Sequence, residues 1–323
     1  MLDLASRLCA AAEERTIQPA QREELVGATN LDTGRTAENP EPMAIARVLV
    51  VGAGTMGSGI AQVVAQAGIE TTLTDADAAG LERGLAKITS RWDHLTTSGR
   101  SSAQDVAGFR ARLSPGTIAD ASSADLVIEA IVEKLEPKSA LFEELAAIAP
   151  SQTFLASNTS SISISTLGRA SGRPDRFVGL HFFNPVPVLP LVEIVRGIET
   201  SDHTLATAER FVDAIGKTPI VVNDSPGFVA NRILLPMINE AIFALEDGVA
   251  PATSIDEVMK LGLSHPMGPL ALADLIGLDI CLDILETLHR DFGEDKYRPA
   301  PTLRRMVGAG KLGRKSGQGF YEY

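Results

Sequence analysis

Between Ala46 and Val222 the chain alternates short apolar runs with longer stretches whose apolar residues recur at helical spacing. Arg47 to Val51 (RVLVV) has no polar residue after its first position, the pattern of a strand buried on both faces. Further strands are predicted over Glu70 to Thr74, which runs into Asp75, and over Ala124 to Ala130 (ADLVIEA). Thr153 to Ala156, Phe177 to His181, Leu191 to Val195 and Pro219 to Val222 read the same way. Helices are predicted over Thr55 to Ala67, over Ala78 to Thr97 and Ala103 to Arg112 joined near Gly99, and from about Lys138 to Ile148. Strands alternating with helices imply a mainly parallel, doubly wound α/β sheet.

Beyond Val222 the strand pattern stops. Ser225-Pro226 is placed to open a helix, with proline at its first position. Helical spacing then covers Phe228 to Leu245, Ile255 to Lys260, Pro269 to His289 and Pro301 to Gly308. A boundary near Asn223 therefore divides an α/β unit, 43–223, from an all-helical C-terminal unit, 224–323. Residues 1–42 resemble neither. They are too acidic for a transit peptide and lack a secretory apolar core. Leu4 to Glu14 could form a short helix, and Thr29 to Pro42 has linker composition. The segment reads as a mobile extension, with Met43 a plausible natural start.

Composition narrows the function. The net charge of −12 argues against nucleic acid or an anionic membrane as partner. No apolar run approaches the ~20 residues of a membrane-spanning helix. Cys9 and Cys281 lie far apart and form neither a CxxC nor a zinc spacing, so no metal is expected and a reducing cytosol suits the chain.

Four features carry chemistry. Gly52-Ala53-Gly54-Thr55-Met56-Gly57 is a GxGxxG turn between a strand and a helix. Gly52 permits the tight turn, Gly54 admits a pyrophosphate, and Gly57 lets helix and strand pack closely. The helix N-terminus presents amide donors to the phosphates. Asp75 ends the next strand 18 residues after Gly57, where its carboxylate can accept ribose hydroxyls and repel a 2′-phosphate, favouring NAD over NADP. The sheet is thus of the Rossmann type. His181, in His181-Phe182-Phe183-Asn184-Pro185, falls at a strand end on the sheet's carboxyl edge. If its strand neighbours the next, Glu193 could hold one imidazole nitrogen and make the other a better proton acceptor. Ser157 to Ser161 follows another strand. Ser161 or Ser163 could simply cap a helix, whereas Asn158 and Ser160 could contact nicotinamide and substrate. Asn231, an amide in an apolar helix, needs a partner if buried, either a substrate oxygen or a backbone carbonyl.

Taken together, VVGAGTMGSGIAQ, DLVIEAIVEKLEPK, LASNTSSISI, GLHFFNPVPV, DSPGFVANRILLP, HPMGPLALADLIGLD and KLGRKSGQGFYEY resemble the L-3-hydroxyacyl-CoA dehydrogenase family, short-chain 3-hydroxybutyryl-CoA dehydrogenases included. The resemblance runs from about Arg47 to Tyr323. It implies that His181 is the catalytic base, paired with Glu193, that Ser160 and Asn231 polarise substrate, and that Asn184 lies beside nicotinamide and substrate. It also implies cofactor contacts at Glu133, Lys138 and Lys315. Read without it, Glu133 and Lys138 are a solvated helix start and Lys315 is surface charge. NAD-dependent oxidation of a (3S)-3-hydroxyacyl-CoA, in a homodimer joined through the helical unit, is what the resemblance implies. Lys87 and Arg91 are candidates for CoA, which is left without assigned contacts. Two alternatives stay open: a relative acting on a free hydroxy or sugar acid, as in the gulonate dehydrogenase and lambda-crystallin branch, and a non-catalytic structural protein on the same fold.

Overall fold

The structure, a computed structural model, describes residues 43–323, so the extension and its expected helix lie outside the described residues. The α/β unit runs β1 (Arg47–Val51), α1 (Thr55–Gln66), β2 (Glu70–Thr74), α2 (Ala78–Thr97), α3 (Ala103–Ala111), β3 (Leu113–Pro115) and β4 (Leu126–Glu129). It continues through α4 (Leu135–Ile148), β5 (Phe154–Ser157), α5 (Ile164–Ala170), β6 (Phe177–Phe182), β7 (Leu191–Arg196), α6 (Asp202–Ala214) and β8 (Thr218–Asn223). One sheet holds the eight strands of the described residues, in the order β3-β2-β1-β4-β5-β6-β7-β8. Pairing is parallel from β3 across to β6, β7 runs antiparallel to β6, and β8 is parallel to β7.

The sheet has a hydrophobic layer on each face, which explains the unbroken apolar run of β1. Val48 and Val50 pack with Ile60, Val64 and Phe211 on one side. Leu49 and Val51 pack with Phe142, Leu145 and Leu167 on the other. A strand with two buried faces has no position at which a polar residue would be solvated. Strand order reverses between β1 and β4, and crevices for ligands open at the carboxyl ends of strands flanking such a reversal.

The helical unit comprises α7 (Ala230–Glu246), α8 (Ala252–Gly262), α9 (Pro269–Ile276), α10 (Leu278–Phe292) and α11 (Pro301–Gly308). Leu235, Ile238, Ile242, Leu270, Leu285 and Leu288 lie at its centre. Two local expectations are corrected. The helix predicted over Pro269 to His289 is two, because Gly277 takes φ +107° and the Leu278 amide turns to Leu312 O. Pro226 does not open α7 either: Pro226 to Val229 form a turn in which Gly227 and Phe228 both have positive φ, and the helix starts at Ala230. β3, α5 and α6 are additional to the elements read from the pattern. No helix among the described residues is long and apolar enough to cross a membrane.

Candidate active site

The glycine turn joins β1 to α1 at the reversal point. Gly52 sits at φ +104°, and a Cβ there would lie 2.5 Å from Ala130 O on the loop after β4. A Cβ on Gly57 would lie 1.7 Å from Gly52 O. The chain's own packing thus demands glycine at both. Gly54 differs, since a Cβ would meet nothing within 4 Å. It is also the N-cap of α1, and no side chain caps that helix or places an acid in its first turn. Amides at the start of a helix lack intrahelical acceptors and carry the positive end of its dipole. Thr55, Met56 and Gly57 therefore front an open anion-binding cradle, which fits a pyrophosphate.

Asp75 completes this side. Its two carboxylate oxygens accept the amides of Ala53 (2.7 Å) and Asp77 (2.9 Å), which holds the negative charge against the turn.

The second half of the site lies where β6 pairs antiparallel with β7, with His181 directly opposite Glu193. His181 Nδ1 is 2.7 Å from Glu193 Oε2, and both side chains are buried. The other carboxylate oxygen, Oε1, accepts the amides of Val229 (3.2 Å) and Ala230 (3.0 Å) at the start of α7. Phe183 and Phe228 wall the imidazole, with ring centroids 4.6 and 5.6 Å away.

The loop after β5 is ordered by Glu133. Glu133 Oε1 gathers donors from it: Thr159 Oγ1 (2.5 Å), Ser160 N (2.8 Å), Ser160 Oγ (3.4 Å) and Ser161 N (3.2 Å). Burial pushes the Glu133 carboxyl up, but nearby Lys138 and these hydrogen bonds outweigh it and hold the group below the usual carboxylate range. Asn158 commits its Oδ1 to the amide of Phe182 at the end of β6 (2.9 Å). Ser163, not Ser161, caps α5, accepting the Thr166 amide. Asn231 reaches across from α7, and its Nδ2 donates to Ser160 O (3.2 Å), so a backbone carbonyl is its partner.

Lys138 is neither solvated nor in the open cleft. Its side chain is 1% exposed, and Nζ lies 2.5 Å from Glu129 Oε1 and 3.2 Å from Glu133 Oε2. Glu129, the last residue of β4, is itself fully buried and also accepts Ile131 N (2.7 Å) and Ser157 Oγ (2.6 Å). Lys138 thus faces the cleft through Glu133 rather than directly. Glu129 is absent from the residues singled out in the sequence, although a lone acid in the apolar run ADLVIEA was its signal. Lys315 pairs with Asp279 of α10 (2.5 Å) on the C-terminal segment. Asn184 is exposed just past β6. Of the CoA candidates, Lys87 is exposed on α2, and Arg91 donates to Gln62 of α1 (3.3 Å). Two further residues emerge only in the structure. Lys217 holds the loop after His181 by donating to Val186 O (2.6 Å) and Leu189 O (2.8 Å). Asp224, just past β8, accepts the Ser165 amide at the start of α5 (2.8 Å).

An open cradle of helix-start amides flanked by Asp75, in one sheet with a buried histidine–carboxylate pair, is the arrangement of a nicotinamide-dependent dehydrogenase. The family models described as 3-hydroxyacyl-CoA dehydrogenase, NAD binding domain, and 3-hydroxyacyl-CoA dehydrogenase, C-terminal domain, match residues 47–225 and 227–323. The chain belongs to the 3-hydroxyacyl-CoA dehydrogenase family and is an NAD-dependent oxidoreductase. It is 51% identical over 275 residues to a probable 3-hydroxybutyryl-CoA dehydrogenase of Deinococcus radiodurans, covering 85% of this chain and 99% of that one. A probable 3-hydroxybutyryl-CoA dehydrogenase of Bacillus subtilis is 49% identical over 282 residues, 87% of this chain and 98% of its own. The crystal structure of (S)-3-hydroxybutyryl-CoA dehydrogenase from Ralstonia eutropha superposes with a TM-score of 0.85 at 48% identity, covering 87% of this chain and 99% of that one.

Proposed function

We propose that the protein oxidises (3S)-3-hydroxyacyl-CoA to 3-ketoacyl-CoA reversibly, with short-chain 3-hydroxybutyryl-CoA favoured and His181 as general base and acid. The observation that carries the reading is the buried His181–Glu193 pair, 2.7 Å apart. With its Nδ1 proton directed at the carboxylate, His181 keeps Nε2 as the nitrogen that exchanges a proton with substrate. During oxidation Nε2 takes the C3 hydroxyl proton, and Glu193 stabilises the imidazolium that forms. In reduction the imidazolium returns the proton to the C3 oxygen. Bound NAD supplies the hydride acceptor.

The other residues position the reactants. The Gly52 to Gly57 turn holds the pyrophosphate and Asp75 the adenosine ribose. Ser160 and Asn231, joined by the hydrogen bond from Nδ2 to Ser160 O, polarise the substrate oxygen, one from the α/β unit and one from α7. Glu133 contributes by ordering the loop of Ser160, and Lys138 by holding Glu133. Asn158 offers its amide to the nicotinamide side, and Asn184 and Lys315 complete the cofactor and substrate contacts.

A cytoplasmic homodimer joined through the helical unit accompanies this reading. Ile233, Val258, Leu261 and Leu263 there are between 61% and 82% exposed, more apolar surface than a solvated helical face ordinarily leaves. Light scattering at micromolar concentration would return the mass of a dimer, and a monomer mass would remove that part. The substrate assignment is tested by NADH oxidation with acetoacetyl-CoA against free acetoacetate. Turnover confined to the thioester is expected. Equal or greater turnover of the free acid would favour the hydroxy-acid branch, and none with either would overturn the substrate assignment.

A further inference from the structure

Phe228 occupies a backbone conformation that suits glycine. Its φ is +51°, it follows Gly227 at φ +73°, and it is 2% exposed. A bulky residue with positive φ is uncommon and strained, whereas a glycine would adopt this turn freely. Two consequences of the turn meet at one carboxylate. The left-handed step aims the next two amides, Val229 and Ala230, at Glu193 Oε1 (3.2 and 3.0 Å). The Phe228 ring lies 5.6 Å from the His181 imidazole at 60°. Glu193 is thereby held from both ends, Oε2 by His181 and Oε1 by the amino end of α7.

We infer that Phe228 is a positioning residue for the proton-transfer pair: its ring fixes the imidazole, and its turn makes α7 orient Glu193. The inference rests on His181 being the base. Those α7 amides fix the Glu193 carboxylate at Oε1 and leave Oε2 aimed at the imidazole. They also make docking of the helical unit a condition for a correctly aimed base. A phenylalanine serving only the core would pack with Leu49, Phe142 and their neighbours, as Phe228 also does, without acting through Glu193.

The test is a double-mutant cycle on the full chain, with Phe228→Gly measured alone and in a Glu193→Gln background. Phe228→Gly keeps the backbone turn and removes the ring. The expected result is kcat for acetoacetyl-CoA reduction lowered on the order of tenfold, with KM and NADH affinity within about twofold. In the Glu193→Gln background the same change costs less than about threefold, because the pair through which the ring acts is already broken. A loss that appears in KM or NADH affinity, a loss equal in both backgrounds, or kcat within twofold of the parent would overturn the inference. If near-ultraviolet circular dichroism shows Phe228→Gly to be unfolded, the cycle is repeated with Phe228→Leu, which keeps apolar volume, and judged by the same outcomes. A fully active His181→Ala enzyme would instead overturn the proposed function, whereas an inactive one beside an unimpaired Phe228→Gly would overturn only this inference.

Discussion

Replacing Lys138 by methionine isolates the buried charge pair beneath the cleft. Both partners are out of water, with side chains 1% and 0% exposed, and Nζ stands 2.5 Å from Glu129. Removing one member of a buried pair leaves an uncompensated charge and costs ~3–5 kcal/mol. Glu129 retains hydrogen bonds from Ile131 N and Ser157 Oγ, so the lower end, about 3 kcal/mol, is expected. The control is Arg83→Ala, which breaks the Arg83–Asp77 pair whose side chains are 65% and 60% exposed. Such pairs contribute roughly 0–1 kcal/mol. The assay is urea unfolding at pH 7, read by fluorescence of Trp92, buried in the same α/β unit. Adding Glu129→Gln to Lys138→Met should restore at least half of the loss, since the fully buried Glu129 is then neutral and Glu133, with its side chain 38% exposed, keeps its hydrogen bonds to the β5–α5 loop. A cost below 1 kcal/mol, no larger than that of Arg83→Ala, would refute the reasoning.

The glycine turn separates packing from binding. Gly54→Ala should fold with the stability of the parent and lose NADH affinity at least tenfold, because its methyl meets only the open cradle. Gly57→Ala should be destabilised by several kcal/mol, with a methyl forced onto Gly52 O. Thermal unfolding and NADH titration check both, and equal effects at the two positions would contradict the assignment. Burial lowers the Lys217 ammonium to about 8, whereas the unfolded chain stays protonated to the ordinary value of 10.5. The unfolded state then binds more protons between those limits, so stability attributable to Lys217 rises with pH across that window and is lowest below it. Relative to Lys217→Met, the parent should gain at most about 3 kcal/mol between pH 7.5 and 10.5 in urea unfolding; a difference that does not change with pH would refute this.

The elements legible in the sequence were those whose causes are local. Buried parallel strands announce themselves as apolar runs, and the spacing of Gly52, Gly54 and Gly57 carries its own geometry. α6 went unread although its signal is local: Ser201 caps it, and Leu205, Ala208, Phe211 and Val212 form its apolar stripe. β3, with three residues at the sheet edge, leaves almost no pattern. Gly277 lies in an otherwise helical run, and only the turn of the next amide, Leu278, to Leu312 O reveals the break. In the site, His181 and Glu193 could be joined only on the condition that β6 and β7 are neighbours, a register decided by the whole sheet. Lys138 shows the limit from the other side. A lysine in the first turn of a helix reads as solvated, and its burial depends on Glu129, nine residues earlier on the neighbouring strand end, and through Glu133 on the β5–α5 loop. Phe228 is harder still, because its backbone runs against the local preference of its own side chain.

The central claim, that His181 transfers the proton while a separate turn holds NAD, is met most directly by His181→Ala assayed for both properties. NADH should bind the variant with an affinity within about twofold of the parent, since the cradle at Gly52 to Gly57 is untouched. Reduction of acetoacetyl-CoA should fall by 10²–10⁴-fold, the usual contribution of a positioned acid–base group. Turnover within tenfold of the parent, with NADH bound, would contradict the account.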